Sequence, residues 1–225
     1  MVAVNPPLPA SQTAIPPSSD EPALLAALEQ HLGRLPPLAA LYNAILQDAA
    51  GAPIWAVGGV LRDLVHDPTG EPREFDLTIE LDDLAATIRV AQAIAARTGA
   101  TIQTHKNFGT ATLELPLGPV GSKCEKLARV DISTARREHY ARTAALPSIS
   151  PAAIEVDLSR RDFTINSLAL KLNDAPSPHN AHHRGSFLDL FGGRSDLAKR
   201  RLRILHADSF RDDPTRLLRA CRYAA

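Results

Sequence analysis

Two carboxylates one residue apart, Glu74 and Asp76, open a run from Phe75 to Leu81 that reads as a β-strand. Alternate residues of a strand face the same way, so the pair projects together. Paired carboxylates suit magnesium, which takes hard oxygen ligands, few from protein and the rest from water and substrate phosphate. Asp131, near the middle of a separate strand-like run from Arg129 to Thr134, is a candidate third ligand that would complete a site for two-metal phosphoryl or nucleotidyl transfer. Acidic pairs on strands also occur as plain solvated edges, and the carboxylates alone leave both readings open.

Gly58-Gly59-Val60-Leu61-Arg62-Asp63 adds a phosphate-binding character. A double glycine before a helix lets an anion approach bare backbone N–H groups at the helix start, with Arg62 one turn inward to neutralise it. A tight turn with no ligand is the simpler alternative. Further along, Arg216, Arg219 and Arg222 are spaced three apart, which puts them on one side of a helix together with Asp213, while Leu217 and Leu218 face elsewhere.

These residues need elements to position them. Glu21-Pro22 begins a helix to about Arg34, and Pro36-Pro37 opens a second to about Ala50. Ile54 to Val57 reads as a buried strand, Val60 to His66 as a short helix after the Gly-Gly turn, and Asp82 to Thr98 as a long helix. Thr101 to His105 and Thr110 to Leu115 flank Lys106-Asn107-Phe108-Gly109 as a hairpin. A helix is expected over Pro151 to Asn166, a strand over Ser167 to Leu172, helices over Gly192 to Lys199 and Arg211 to Ala225, and a short strand between them at Leu202 to Leu205. Trp55 and Phe108 are expected in the core, and a polar loop with His179, His182 and His183 has no acidic or thiol partner nearby that would make it a metal site. The loop bearing Lys123 and Lys126 carries no assignable role. The pattern implies an α+β fold with a mixed sheet and flanking helices.

At 225 residues, 44% hydrophobic and 22% charged, the chain has the composition of a globular protein of one large domain or one domain plus part of another. No apolar run approaches the roughly 20 residues that span a membrane, and the proline-rich first 19 residues read as a disordered tail with no secretory signal. A cytoplasmic protein is expected. Cys124 and Cys221, the two cysteines, are isolated, which argues against a disulfide framework. The net charge of zero conceals a segregation: residues 194–225 carry nine Lys/Arg against four Asp/Glu, and the preceding residues sixteen against twenty-one. An acidic body joined to a basic segment suits a protein holding cations in one place and phosphates in another.

The motifs, taken in order, resemble those of the bacterial class II tRNA nucleotidyltransferases (CCA-adding enzymes) and the bacterial poly(A) polymerases. They are VGGVLRD (57–63), EFDLTIE (74–80), HKNFGTATL (105–113), VDIST (130–134), DLSRRDFTINSLAL (157–170), LDLFGG (188–193) and DDPTRLLRACRY (212–223). The resemblance implies a nucleotidyltransferase palm over 51–200, preceded by N-terminal helices over 20–50 and followed at 201–225 by the start of a helical neck truncated here, so that the chain is expected to be a head fragment. It implies Gly58, Gly59 and Arg62 at the incoming nucleotide, Glu74, Asp76 and Asp131 on Mg2+, and Arg161 on the triphosphate or sugar. Asp213 and Arg216, with Arg219 and Arg222 behind them, would read the base.

Cytosine and adenine both present an exocyclic amino donor beside a ring-nitrogen acceptor, so one carboxylate and one guanidinium can pair with either. The implied activity is template-independent addition of CMP and AMP, from CTP and ATP, to the 3′ end of a tRNA, with no obligate protein partner and no membrane. Two departures stand out: the family's Asp-x-Asp begins here with Glu74, and its base-reading motif begins with Asp212 instead of Glu. A poly(A), CC-adding or A-adding enzyme and a weakened nucleotide- or RNA-binding remnant are the alternatives.

Overall fold

The computed structural model describes residues 21–49, 51–70, 75–117, 127–142, 146–175 and 187–224. The tail, Glu74, the loop around Lys123 and the three loop histidines lie outside these residues.

Helices α1 (Glu21–Gly33) and α2 (Pro36–Asp48) lead into β1 (Ile54–Val57), α3 (Gly59–His66), β2 (Asp76–Ile79), α4 (Leu84–Thr98), β3 (Thr101–His105), β4 (Thr110–Pro116) and β5 (Leu127–Thr134). Then come β6 (Arg136–His139), β7 (Ser148–Pro151), α5 (Ile154–Ser159), β8 (Ala169–Lys171), β9 (Phe187–Leu188), α6 (Gly193–Ala198), α7 (Ser209–Asp212) and α8 (Arg216–Ala224). Seven strands form one sheet in the order β3-β4-β5-β2-β1-β8-β9, and β6 pairs with β7 apart from it. Only β2 and β5 run parallel within the large sheet; its other pairings are antiparallel.

Period-two alternation divides the sheet into two chemistries. Leu77 and Ile79 of β2, Leu113 of β4 and Ala128, Val130 and Ile132 of β5 join one core with α1, α2, α3 and α4. The intervening residues of the same strands, Asp76, Thr112, Arg129, Asp131 and Ser133, therefore turn to the opposite, polar face. Towards the β1 and β8 side that second face is covered instead, by Trp55, Val57, Ile154, Leu158 and Ala169. The polar stretch is thus bounded by a packed one, which makes a cleft.

Three expected elements differ. The helix expected over Pro151–Asn166 is only α5, followed by an extended Phe163 (φ −133°, ψ 153°) and a single 3-10 turn at Thr164–Asn166. The break has a local cause: the Asp162 carboxylate accepts the Phe163 backbone N–H at 2.8 Å in place of a helical bond, and its hold is reinforced by the Asn166 side-chain amide at 3.1 Å. Leu202–Leu205 does not form a strand and makes one isolated bridge, Ile204 to Phe163. The helix expected over Arg211–Ala225 is divided into α7 and α8 at Asp213-Pro214-Thr215. A proline disfavours α geometry in the residue before it, and Asp213 accordingly adopts φ −136°, ψ 97°. Asp213 therefore does not share a continuous helical face with Arg216, Arg219 and Arg222. The β6–β7 hairpin was not legible in the sequence, and Phe108, expected in the core, is half-buried against the cleft.

Candidate active site

The cleft over the polar face has a volume of about 600 Å3. Asp76 and Asp131 are register partners across the parallel pair of β2 and β5, and both line it. Thr112, the partner of Asp131 on β4, donates its hydroxyl to Asp131 Oδ1, and Arg129 donates from Nε to Oδ2 at 3.2 Å and from Nη2 to Oδ1 at 3.3 Å. Asp131 is 39% exposed and Arg129 59%.

Gly58 ends the strand before α3 with φ +69°, in the left-handed region that favours glycine. A Cβ there would lie 3.1 Å from Arg161 Nη1 and 3.5 Å from Asp76 Oδ2, so the missing side chain is what leaves room between a guanidinium and a carboxylate. Gly58, Gly59 and Arg161 all line the cleft. Arg62, on α3, bonds Asp63 Oδ1 from Nε at 2.8 Å and Asn166 Oδ1 from Nη1 at 2.9 Å, and lies 5.1 Å from the Tyr223 ring centroid. It stands behind the cleft wall.

The opposite wall is cationic and tightly wired. Asp157 has no exposed surface; it accepts from Arg160 Nη2 at 2.6 Å and Arg160 Nε at 3.0 Å, from Arg161 Nη2 at 2.9 Å and from the Arg136 backbone at 3.2 Å. Burial alone would raise its pKa, but the two guanidinium groups overcome that and hold it at about 2. Glu138 accepts from Arg160 Nη1 at 2.7 Å, Arg136 Nη2 at 3.1 Å and the Tyr140 hydroxyl at 2.8 Å. Burial and the neighbouring Glu138 push the Tyr140 phenol up to about 12. Three arginines against two acids leave this wall with excess positive charge, as an anion-binding surface requires.

Asp213 and Arg216 meet at the cleft's third side. Asp213 Oδ1 accepts the Thr215 backbone N–H at 2.9 Å and the Thr215 hydroxyl at 2.6 Å, an Asx turn that starts α8. Arg216, 5% exposed, donates from Nη1 to Ser209 Oγ at 2.6 Å and from Nη2 to the Arg160 carbonyl at 2.8 Å. Its Nε is 3.9 Å from Asp213 Oδ2. Arg219 pairs with Asp162 Oδ2 at 3.0 Å; burial pulls its pKa down, and Asp162 more than restores it. Arg222 bonds the Tyr223 hydroxyl at 2.9 Å and is exposed. The cleft thus brings together Gly58, Gly59, Asp76, Asp131, Arg161, Asp213, Arg216 and Arg219; Arg62 and Arg222 lie outside its lining. Sequence reasoning missed Asp157, Glu138, Arg136 and Arg160 as parts of one network: the i,i+3 spacing of Asp157 and Arg160 was a local signal, whereas the Glu138–Arg160 and Arg136–Asp157 links cross from β6 to α5.

The poly(A) polymerase head domain matches residues 54–203, which span the sheet, the Gly58 turn and the arginine wall. The chain belongs to that family. Among its relatives, the A-adding tRNA nucleotidyltransferase of Geobacter sulfurreducens is 38% identical over 78% of this chain and 18% of its own length. The CC-adding tRNA nucleotidyltransferase of Deinococcus radiodurans is 36% identical over 75% of this chain and 39% of its own. An apo CCA-adding enzyme structure superposes with a TM-score of 0.62 at 32% identity, covering 87% of this chain and 42% of that one. The chain therefore spans well under half the length of these relatives. The superposed architecture is the seven-stranded mixed sheet with flanking helices. No described helix is long and apolar enough to cross a membrane.

Proposed function

We propose that the chain is the head of a template-independent, magnesium-dependent nucleotidyltransferase that adds CMP and AMP, from CTP and ATP, to the 3′ end of a tRNA. The observation that carries this reading is the in-register pair Asp76 and Asp131, facing one cleft with Gly58 and Arg161.

The donor set fits magnesium. Two carboxylates lie side by side, and no cluster of three or more His, Cys, Asp or Glu side chains that could hold an ion occurs among the described residues. An ion held by two protein oxygens, with water and phosphate completing its shell, is how magnesium binds at nucleotide sites. Asp76 and Asp131 would hold it, with Glu74 the further ligand expected from the sequence. When bound, the ion lowers the pKa of the attacking hydroxyl and offsets charge on the phosphates.

In the transfer the 3′ oxygen bonds to the α-phosphorus, its proton passes to solvent, and the bond from the α-phosphorus to the α,β-bridging oxygen breaks to release pyrophosphate. Gly58 supplies backbone that a triphosphate can approach closely, and Arg161, Arg160 and Arg136 set the positive potential facing it. Asp157 holds Arg160 and Arg161 in place, so their orientation is fixed before substrate arrives. Asp213 accepts from the exocyclic amine of cytosine or adenine while Arg216, immobilised by Ser209 and the Arg160 carbonyl, donates to the ring nitrogen.

Competition binding of CTP, ATP, GTP and UTP, followed by incorporation on tRNAs lacking one, two or three terminal nucleotides, tests the proposal and separates CC, A and CCA addition. Asp213→Ala is expected to erode the preference for CTP and ATP over UTP and GTP by about 10-fold, given a buried mispairing of roughly 1–3 kcal/mol. Unchanged selectivity in a folded variant removes the base-reading role.

A further inference from the structure

We propose that Arg129 is the resident counter-ion of Asp131, displaced when a divalent cation binds, and that it sets the metal concentration at which the site fills. The inference rests on the reading of Asp76 and Asp131 as metal ligands and adds to it a competitor encoded in the same strand.

Arg129 lies two residues before Asp131 on β5, so strand alternation places both on the polar face. Its guanidinium covers both carboxylate oxygens, through Nε to Oδ2 and Nη2 to Oδ1. The Thr112 hydroxyl pins Oδ1 from the neighbouring strand. An ion approaching Asp131 thus meets a carboxylate whose two oxygens are already engaged by a cation. The two hydrogen bonds set the positive charge directly on the member of the pair that β5 contributes.

Exposure determines how firmly this counter-ion is held. Arg160 and Arg136 on the facing wall are 20% and 13% exposed and tied to buried acids. Arg129 is 59% exposed, with solvent to move into. An exposed pair of this kind shifts an equilibrium by only about 1.4- to 5-fold. That is weak enough for a divalent cation to displace and large enough to move the loading midpoint.

The test is a titration of the 225-residue chain with Mg2+ alone, followed by 1H–15N spectra that include the arginine Nε–H resonances, for the parent chain, Arg129→Ala and Asp131→Asn. Arg129→Ala is expected to tighten Mg2+ binding by about two- to fivefold. In the parent chain the Arg129 Nε–H resonance is expected to move with the same midpoint as the Asp76 and Asp131 amides. Unchanged affinity in Arg129→Ala, or an Nε–H resonance that stays in place through saturation, overturns the inference. Asp131→Asn separates it from the reading beneath it. If Asp131→Asn weakens Mg2+ while Arg129→Ala binds as the parent does, the ligand assignment stands and the counter-ion role falls. If Asp131→Asn leaves affinity unchanged, or no form of the chain binds Mg2+ saturably, both fall.

Discussion

On the sheet side of the cleft, Asp131 is placed by strand register, keeps 39% of its side chain in solvent and is paired with an exposed arginine. On the facing side, Asp157 keeps none, and two guanidinium groups and a backbone N–H converge on it. Register is enough to aim a carboxylate that a metal and substrate will finish coordinating. Three arginines crowded together repel one another, and only buried counter-charges hold them still in the absence of a ligand. The sheet wall is therefore read as reactive and cheaply altered, the arginine wall as structural and costly to alter.

The largest effect expected from that contrast is in stability. Asp157→Ala leaves Arg160 and Arg161 without their buried partner, and breaking one side of such a pair costs about 3–5 kcal/mol. Asp131→Asn, an exposed change, should cost under about 1 kcal/mol while abolishing nucleotide transfer. Chemical denaturation of both variants measures the contrast, and equal losses would remove it. Acid provides a second measure. The Asp157 carboxyl is held at about 2 in the folded chain against an ordinary 3.8, so its contribution is present above about pH 4 and is lost as pH falls towards 2. Asp157→Asn should flatten that part of the stability profile.

The two walls also differed in how far the sequence disclosed them. Strand alternation marked Asp76 and the Gly-Gly turn marked Gly58, because each signal is local, while Asp131 on its separate strand was only a candidate until the resemblance of the motifs joined it to them; the structure pairs it with Asp76 in register. The arginine wall adds to the i,i+3 and i,i+4 pairs of Asp157 with Arg160 and Arg161 a set of partners far apart in sequence, Glu138 with Arg160 and Arg216 with the Arg160 and Arg161 carbonyls, and no local pattern encodes the distant ones. The β6 and β7 segments, Arg-Arg-Glu-His and Ser-Ile-Ser-Pro, lack alternating apolar residues, so nothing marked them as strands. The break at Asp213 was legible in principle, since Pro214 disfavours helical geometry in the residue it follows. A proline is also tolerated in a first helical turn, and the basic spacing beyond it is continuous, so the local signals conflict at this point.

Gly58 is where the two walls meet, and changing it should produce an intermediate effect on both. Gly58→Ala places a methyl group 3.1 Å from Arg161 Nη1 on a backbone with φ +69° and ψ −128°, a region nearly confined to glycine, costing about 1–3 kcal/mol from the backbone alone. Arg161 must also shift. The expected readout is a modest fall in stability with a larger fall in triphosphate affinity, measured by calorimetric titration with CTP and ATP. A variant that binds both nucleotides as the parent does would show that Arg161 and Asp76 act independently across the glycine.

The smallest expected effect lies at the far end of α8, where three arginines of identical spacing meet three different environments. Arg216 is almost fully buried against carbonyls, Arg219 is half-exposed with its charge on the 2%-exposed side chain of Asp162, and Arg222 is exposed and bonds the adjacent Tyr223 hydroxyl. Arg219→Ala strands a buried carboxylate that Asn166 and the Phe163 N–H only partly satisfy, for a loss of about 1–3 kcal/mol. Arg222→Ala removes a surface contact, and its cost should stay within about 0.5 kcal/mol. Thermal denaturation of the two variants side by side decides the matter. If they fall equally, α8 is fastened by its general basic charge, as an unbroken stripe would be; if Arg219→Ala falls further, the helix is fastened by the single buried acid it meets, and charge spacing in the sequence was no guide to which arginine that would be.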